Sequence, residues 1–386
     1  MTRWVFALPL AGLVWSSALS AQSSPSAAVA RADLAAAYLR LDQAYATHTP
    51  ADSVRRAINR QFDRSTLSFF AGRFAAAIAG VDSATVALTG APIPPPPAAP
   101  AVPRLVNGRR ASMVRDALLA RLMAIDSAGP LARAWVTARA RAQLLVDEPS
   151  RERSAEFLTD PVQLAREVTR EVATLERGLN PYVGQAGDSW QVFRGADGAV
   201  IPVRIVAPQA AASSGTPVAL LIALHGAGGD ENMFVDAYGQ GVIAKMATAE
   251  NVLLVTPFTN DFARSPVHFD SLMAVLHGLY RINDERVYVL GHSLGAGAAA
   301  QLAQARPARI AAVACLAGGM AVTVPTAPPV LFIGAELDPI IPAARVQAAA
   351  AATPTGTYRV QSGEGHTLMV ANGVRAALPW LFGHRP

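Results

Sequence analysis

The residues able to do chemistry gather around Ser293, in Gly291-His292-Ser293-Leu294-Gly295. The β-branched run Val287-Tyr-Val-Leu290 precedes it and an alanine-rich stretch follows, so the serine falls in a turn between a strand and a helix. A serine hydroxyl is a poor nucleophile until a base takes its proton. A strained, exposed turn flanked by glycines presents it to a substrate, with glycine where a side chain would strike the neighbouring strand and helix. The same turn puts the backbone N–H of Leu294 at a helix N-terminus, where free donors and the helix dipole favour a developing oxyanion. Ser293 is thus the candidate nucleophile. Its base and acid are expected in loops past later strands. His366 lies in Gly363-Glu-Gly-His-Thr367, and Asp338 lies past the apolar run Val330-Leu-Phe-Ile333. A buried carboxylate holds the imidazole tautomer and stabilises the imidazolium, while the imidazole shuttles the serine proton. Glu336 and Glu364 are rivals for the acid, and Asp338 before Pro339 also suits a turn or helix entry.

A second segment, Leu224-His-Gly-Ala-Gly-Gly-Asp230, follows the strand-like run Val218–Leu224. Glycines let the chain turn there and aim the N–H of Ala227, or of Gly228, at a substrate oxygen beside that of Leu294. The backbone of this segment matters more than the His225 imidazole, and Asp230 suits a helix cap. His292 is expected to pack or order the elbow. His48, His268, His277 and His384 show no metal spacing, so neither a metal nor another cofactor is expected.

Two kinds of element must position these residues. From about Ser26 to Gly178 the apolar residues recur at spacings of three and four, which predicts helices over 28–48, 52–78, 111–125, 131–145 and 160–179. The tract 91–103, rich in proline, reads as an extended connector between them. After Pro181 the period changes. Trp190–Phe193 and Val200–Val206 read as a hairpin, followed by strands at 218–224, 252–256, 287–290, 311–316, 330–333 and 358–360, alternating with helices near 231–250, 268–282, 294 onward, 342–352 and 366–381. Such alternation predicts a largely parallel sheet covered on both faces. The expected organisation is a leader over 1–21, an α-helical domain over 22–180 and a catalytic α/β domain over 188–386.

The leader is read from Arg3, an apolar run from Trp4 to Trp15 and small residues up to Ala21, a pattern of export that predicts a secreted or periplasmic protein. Its apolar core is shorter than a spanning helix needs, and no later segment makes a convincing span. The 33 basic and 28 acidic residues leave a net charge of +5. They are interspersed without a basic block, which argues against a nucleic-acid partner. The single cysteine, Cys315, excludes an intramolecular disulfide and reads as core packing.

The hairpin, the parallel strands and the elbow partway along are together identified with the α/β-hydrolase fold. Leu224-His-Gly-Ala-Gly-Gly-Asp-Glu-Asn-Met-Phe234 resembles the oxyanion segment of phospholipase/carboxylesterase and dienelactone-hydrolase-like esterases. Gly291-His-Ser-Leu-Gly-Ala-Gly297 resembles the elbow of polyhydroxybutyrate-depolymerase, feruloyl-esterase and prolyl-oligopeptidase-like hydrolases. The resemblance covers roughly Trp190 to the C-terminus. It implies the chain order Ser293, Asp338, His366, acyl transfer from a small or polymeric ester to serine and then to water, and no cofactor. Leu294 departs from the Gln or Ala of many small esterases, which leaves the subfamily open. A prolyl-oligopeptidase-like peptidase and an acyltransferase share this chemistry, although the first lacks its β-rich N-terminal half here. A binding or envelope protein that has lost activity is the alternative of another class; a complete set of site residues argues against it. The segments 259–267 and 317–329, where such folds often insert lids, are short, so the catalytic domain reads as lidless. The helical half is expected either to cover the C-terminal face and limit substrate size or to form a separate structural or partner-binding bundle.

Overall fold

The computed structural model describes residues 31–93, 103–127, 129–212 and 215–385. The expected leader and most of the proline tract lie outside the described residues. The N-terminal half runs α1 (Arg31–Thr47), α2 (Asp52–Phe70), α3 (Phe74–Thr89), a small hairpin of β1 (Leu105–Val106) and β2 (Arg109–Arg110), α4 (Ala111–Met123), α5 (Ala132–Gln143), the short α6 (Ser154–Phe157) and α7 (Pro161–Glu176). The helix expected over 52–78 is two helices. Gly72, at φ 72°, turns the chain between α2 and α3. The hairpin turns at Asn107-Gly108, both at positive φ, a strong two-residue hairpin signal that the helical periodicity around it obscured.

The second half runs β3 (Gly187–Arg194), β4 (Val200–Ala207), α8 (Gln209–Ala212), β5 (Val218–Leu224), α9 (Met233–Asp236), α10 (Tyr238–Ala249), β6 (Val252–Pro257), α11 (Thr259–Phe262), α12 (Val267–His277), β7 (Ile282–His292), α13 (Leu294–Ala305), β8 (Ala312–Leu316), β9 (Val330–Ala335), α14 (Ala343–Ala351), β10 (Gly356–Gln361) and α15 (Met369–Gly383). The eight strands β3–β10 form one sheet in the order β10-β9-β8-β7-β5-β6-β4-β3. The β3–β4 and β4–β6 pairs are antiparallel and the rest parallel. A leading hairpin and a parallel sheet with the elbow after β7 make this the α/β-hydrolase fold. No helix among the described residues is long and apolar enough to cross a membrane.

Strand period divides the core in two. On one face Leu220, Ile222, Val289, Cys315 and Phe332 pack with helices α4, α5, α7, α12, α13 and α14; on the other Leu221, Tyr288, Leu290, Leu316 and Ile333 pack with α1, α2, α3, α10 and α15. The N-terminal helices therefore straddle the sheet, and both of their groups share a core with it. On the first face Thr137 Oγ1 donates to Val192 O at 2.9 Å and buried Arg141 reaches Trp190 O, Glu167 and Glu171.

The helix expected over 231–250 is broken. Tyr238, Gly239, Gln240 and Gly241 are all left-handed, at φ 42°, 73°, 57° and 64°. Buried Asp42 of α1 fixes this turn by accepting the N–H groups of Gly239 at 2.8 Å and Gln240 at 2.6 Å.

Candidate active site

The elbow follows from steric necessity. Ser293 sits at φ 55°, ψ −114° between β7 and α13, an unfavourable conformation for a residue with a Cβ. The crossing of strand and helix is so close that a Cβ on Gly291 would stand 2.1 Å from Gly295 O, and one on Gly295 would stand 2.0 Å from Leu224 O. The turn lifts Ser293 to the end of β7, half-buried, with its Oγ toward the loops after β9 and β10.

Those loops bring the other two residues to it. His366 Nε2 is 2.9 Å from Ser293 Oγ, and His366 Nδ1 is 2.7 Å from Asp338 Oδ2. A carboxylate only accepts, so Nδ1 carries the proton and Nε2 is left to accept from the serine. The other oxygen of Asp338 accepts the N–H groups of Ile340 and Ile341 at 2.8 and 2.9 Å, which fixes the carboxylate. The rival acids turn elsewhere. Arg56 of α2 binds Glu336 through two nitrogens, and Arg55 binds Glu364 at 2.8 Å. The Arg56 guanidinium, with Ser362 Oγ and the Gly363 N–H, holds the Glu336 carboxyl down to about 2.

The two nearest histidines are buried and neutral, and their partners define their tautomers. His292 Nε2 must donate to His366 O at 3.0 Å, because a carbonyl only accepts, so its Nδ1 accepts from the Tyr238 hydroxyl at 3.0 Å. Burial, helped by the neighbouring His366, pushes His292 down to about 3. His225 donates from Nδ1 to Gly226 O and accepts the Thr259 N–H on Nε2, both at 2.9 Å; burial lowers it to about 4. Both imidazoles are thus structural pins. His225 holds the segment after β5, and His292 ties the His366 backbone to the left-handed turn at Tyr238.

The segment after β5 turns through Gly226 to Gly229, closed by the Gly229 N–H on Gly226 O at 3.1 Å. Ala227 and Gly228 occupy the corners of that turn, their own N–H groups outside its hydrogen bond, and both line a cavity with Ser293 and His366. Leu294 opens α13, where first-turn N–H groups have no intrahelical acceptor. Its side chain is exposed and is absent from the cavity wall. Buried Cys315 packs beneath, donating to Ala296 O.

The helical half supplies residues that the sequence did not single out. Asp63 of α2 accepts the His366 N–H on both oxygens at 3.0 and 3.1 Å, and Asn59 one turn earlier accepts the Gly365 N–H at 2.7 Å. Arg55 and Arg56 also bind Ser362. Arg31 of α1 reaches Gly228 O and Asp230, each at 3.0 Å. Phe62 and Phe69 from α2 and Tyr38 from α1 wall the cavity. A signal for Asn59 and Asp63 existed. They fall one helical turn apart beside Phe62, on the face that also buries Ile58, and polar residues on a buried face need partners.

No protein-family model and no curated protein matches the chain. Among solved structures the chain is similar to a thermostable esterase at 20% identity, over 52% of this chain and 63% of that one, with a TM-score of 0.42. It is similar to an S-formylglutathione hydrolase from Staphylococcus aureus at 12% identity, over 51% and 98%, with a TM-score of 0.43. A third, Est1E from Butyrivibrio proteoclasticus, is 13% identical over 51% and 100%, with a TM-score of 0.40. The chain thus spans less than two thirds of the length of the thermostable esterase.

Proposed function

We propose that the protein hydrolyses carboxylic esters through an acyl-enzyme on Ser293. The observation that carries this is the chain of hydrogen bonds from Ser293 Oγ to His366 Nε2 and from His366 Nδ1 to Asp338, with the serine strained at the head of a helix. In the first step Ser293 Oγ bonds to the ester carbonyl carbon as His366 Nε2 takes the hydroxyl proton. The carbonyl oxygen becomes an oxyanion, stabilised by the N–H groups of Leu294 and of Ala227, with Gly228 beside it in the same turn. Collapse breaks the bond to the alcohol oxygen, which leaves with the proton from Nε2. Water then repeats the sequence on the acyl-enzyme, releasing the acid and returning the proton to Ser293. Asp338 stays ionised throughout and balances the imidazolium. This chemistry requires no cofactor. The export reading rests on residues 1–21 alone.

The test is burst release of p-nitrophenol from short-chain esters, with a fluorophosphonate probe read by mass spectrometry. The expected result is a burst and one adduct on Ser293, both absent in Ser293→Ala, whose turnover falls by roughly 10⁴-fold or more. Folded protein that neither turns over nor labels would overturn the reading in favour of an inactive binding protein.

A further inference from the structure

The cavity before Ser293 has walls from both halves of the chain, and its charged side chains are already engaged. Arg31 pairs with Asp230 at 3.0 Å and Asp236 with Arg204 at 3.2 Å, while His292 is kept neutral by burial. Apart from Arg31 and the hydroxyls of Ser65, Thr66 and Ser154, the wall from the helical half is apolar. Phe62 and Phe69 stand behind the catalytic residues, and Phe70 and Leu158, 38% and 40% exposed, stand at the mouth. Phe69 lies directly against the turn after β5, since a Cβ on Gly228 would meet its ring at 2.5 Å.

We propose that this cavity selects uncharged esters bearing an extended apolar or aromatic group, which the Phe62–Phe69 wall takes out of water as the carbonyl meets Ser293. The proposal rests on the serine-hydrolase reading. Each methylene buried there adds about fourfold to kcat/KM. An anionic group entering the same space would lose its hydration with no unpaired cation to receive it. The experiment uses the full chain on p-nitrophenyl esters of lengthening acyl chain, on alkyl butyrates of lengthening alcohol, and on a p-nitrophenyl hemisuccinate. The expected result is a rise of roughly threefold to fourfold per methylene in one series, flattened in Phe69→Ala and less so in Phe69→Leu, with the hemisuccinate well below the butyrate. Flat slopes in both series, or a hemisuccinate cleaved as fast as the butyrate, overturn the proposal even though the fluorophosphonate still labels Ser293. Failure of that labelling overturns the underlying reading and the proposal with it.

A separate observation concerns Asp63. It is 1% exposed, and Gly365 lets it approach so closely that a Cβ there would stand 2.2 Å from a carboxylate oxygen. The charged groups facing it are His366 and, beyond the imidazole, Asp338; Arg55 and Arg56 on the same helix are taken up by Glu364 and Glu336. We infer that Asp63 is a positioning residue that fixes the His366 backbone and sets a second negative charge beside the imidazolium formed in each turnover. The fold retains this carboxylate at a cost. Burial, with Asp338 adding to it, pushes Asp63 up to about 7 against the pull of the His366 N–H.

Asp63→Asn separates the two roles, because the amide keeps an accepting oxygen and removes the charge. The native pKa is raised above the unfolded value, so the contribution of Asp63 to the parent's stability is fully present below pH ~4 and is lost as pH rises through about 7. The variant is therefore expected to melt several degrees above the parent at pH 8, the difference vanishing by pH ~4. Its kcat at pH 8 falls roughly tenfold with KM little changed, and Asp63→Glu, which keeps the charge, recovers part of the loss. A variant that melts lower than the parent at pH 8, or that keeps the parent kcat, overturns the inference.

Discussion

The two halves of the chain reach the same site by different physics. In the sheet half the geometry is set by backbone: Ser293 is held at positive φ by a strand–helix crossing that admits only glycine at 291 and 295, and the turn after β5 is shaped by its glycines. In the helical half it is set by side chains reaching across: Arg31 to the turn after β5, Asp42 to the left-handed turn at 239–240, and Arg55, Arg56, Asn59 and Asp63 to the loop that carries His366. Backbone constraints leave a local motif in the sequence. Side-chain clamps leave only scattered polar residues on a helix face. The sheet half is thus complete as a motif, while its loops are held by side chains from the helical half.

The largest effect is expected from removing the helical half. A fragment beginning near Asn180 would expose the sheet faces now covered by α1–α3 and by α4, α5 and α7, and would release the His366 loop from α2. It is expected to show no cooperative thermal transition and no fluorophosphonate labelling. A fragment that melts cooperatively and labels at the parent rate would make the helices an accessory.

A smaller effect sharpens the contrast between backbone and side-chain control. Gly295→Ala would drive a methyl group to 2.0 Å from Leu224 O in a crossing that has no room to yield, and is expected to cost ~3 kcal/mol or more by urea denaturation. Gly72→Ala, also at a special position but with nothing near its Cβ, is expected to cost only the left-handed penalty of ~1–2 kcal/mol. Equal costs would mean that the elbow is more compliant than its geometry implies.

This difference also accounts for what could be read in advance. The sheet half is legible because period-2 apolar runs and glycine-flanked turns are local: the strands fall near their expected places, and Ser293, Asp338 and His366 meet within hydrogen-bond distance. The break in α10 was hidden, since Gly239 and Gly241 read as tolerable in a helix until Asp42, almost two hundred residues earlier, supplied acceptors for the left-handed turn. The split between α2 and α3 needed only more weight on Gly72. In the helical half the period gave elements without partners. Nothing in the spacing of Asn59 and Asp63 says which loop they bind, because their partners, Gly365 and His366, are some three hundred residues away.

The gentlest test lies within one helical half, between a clamp and an ordinary surface pair. Arg121 and Glu176 form a bidentate pair about two-fifths exposed at each end, far from the site, and Arg121→Ala is expected to change stability by less than ~1 kcal/mol and kcat not at all. Arg55 faces the opposite case. Its partner Glu364 is 6% exposed and has otherwise, among the described residues, the Asn372 amide at 3.1 Å, so Arg55→Ala leaves a buried carboxylate without its cation two residues from His366. The cost is expected to be ~2 kcal/mol by urea denaturation at neutral pH. A several-fold loss of kcat should accompany it, because the loop that holds the imidazole loses an anchor on the side where Asp63 and Asn59 grip it. If Arg55→Ala behaves like Arg121→Ala, the polar contacts of α2 fasten the two halves together without tuning the site. A larger loss of kcat than of stability would instead place α2 within the catalytic framework.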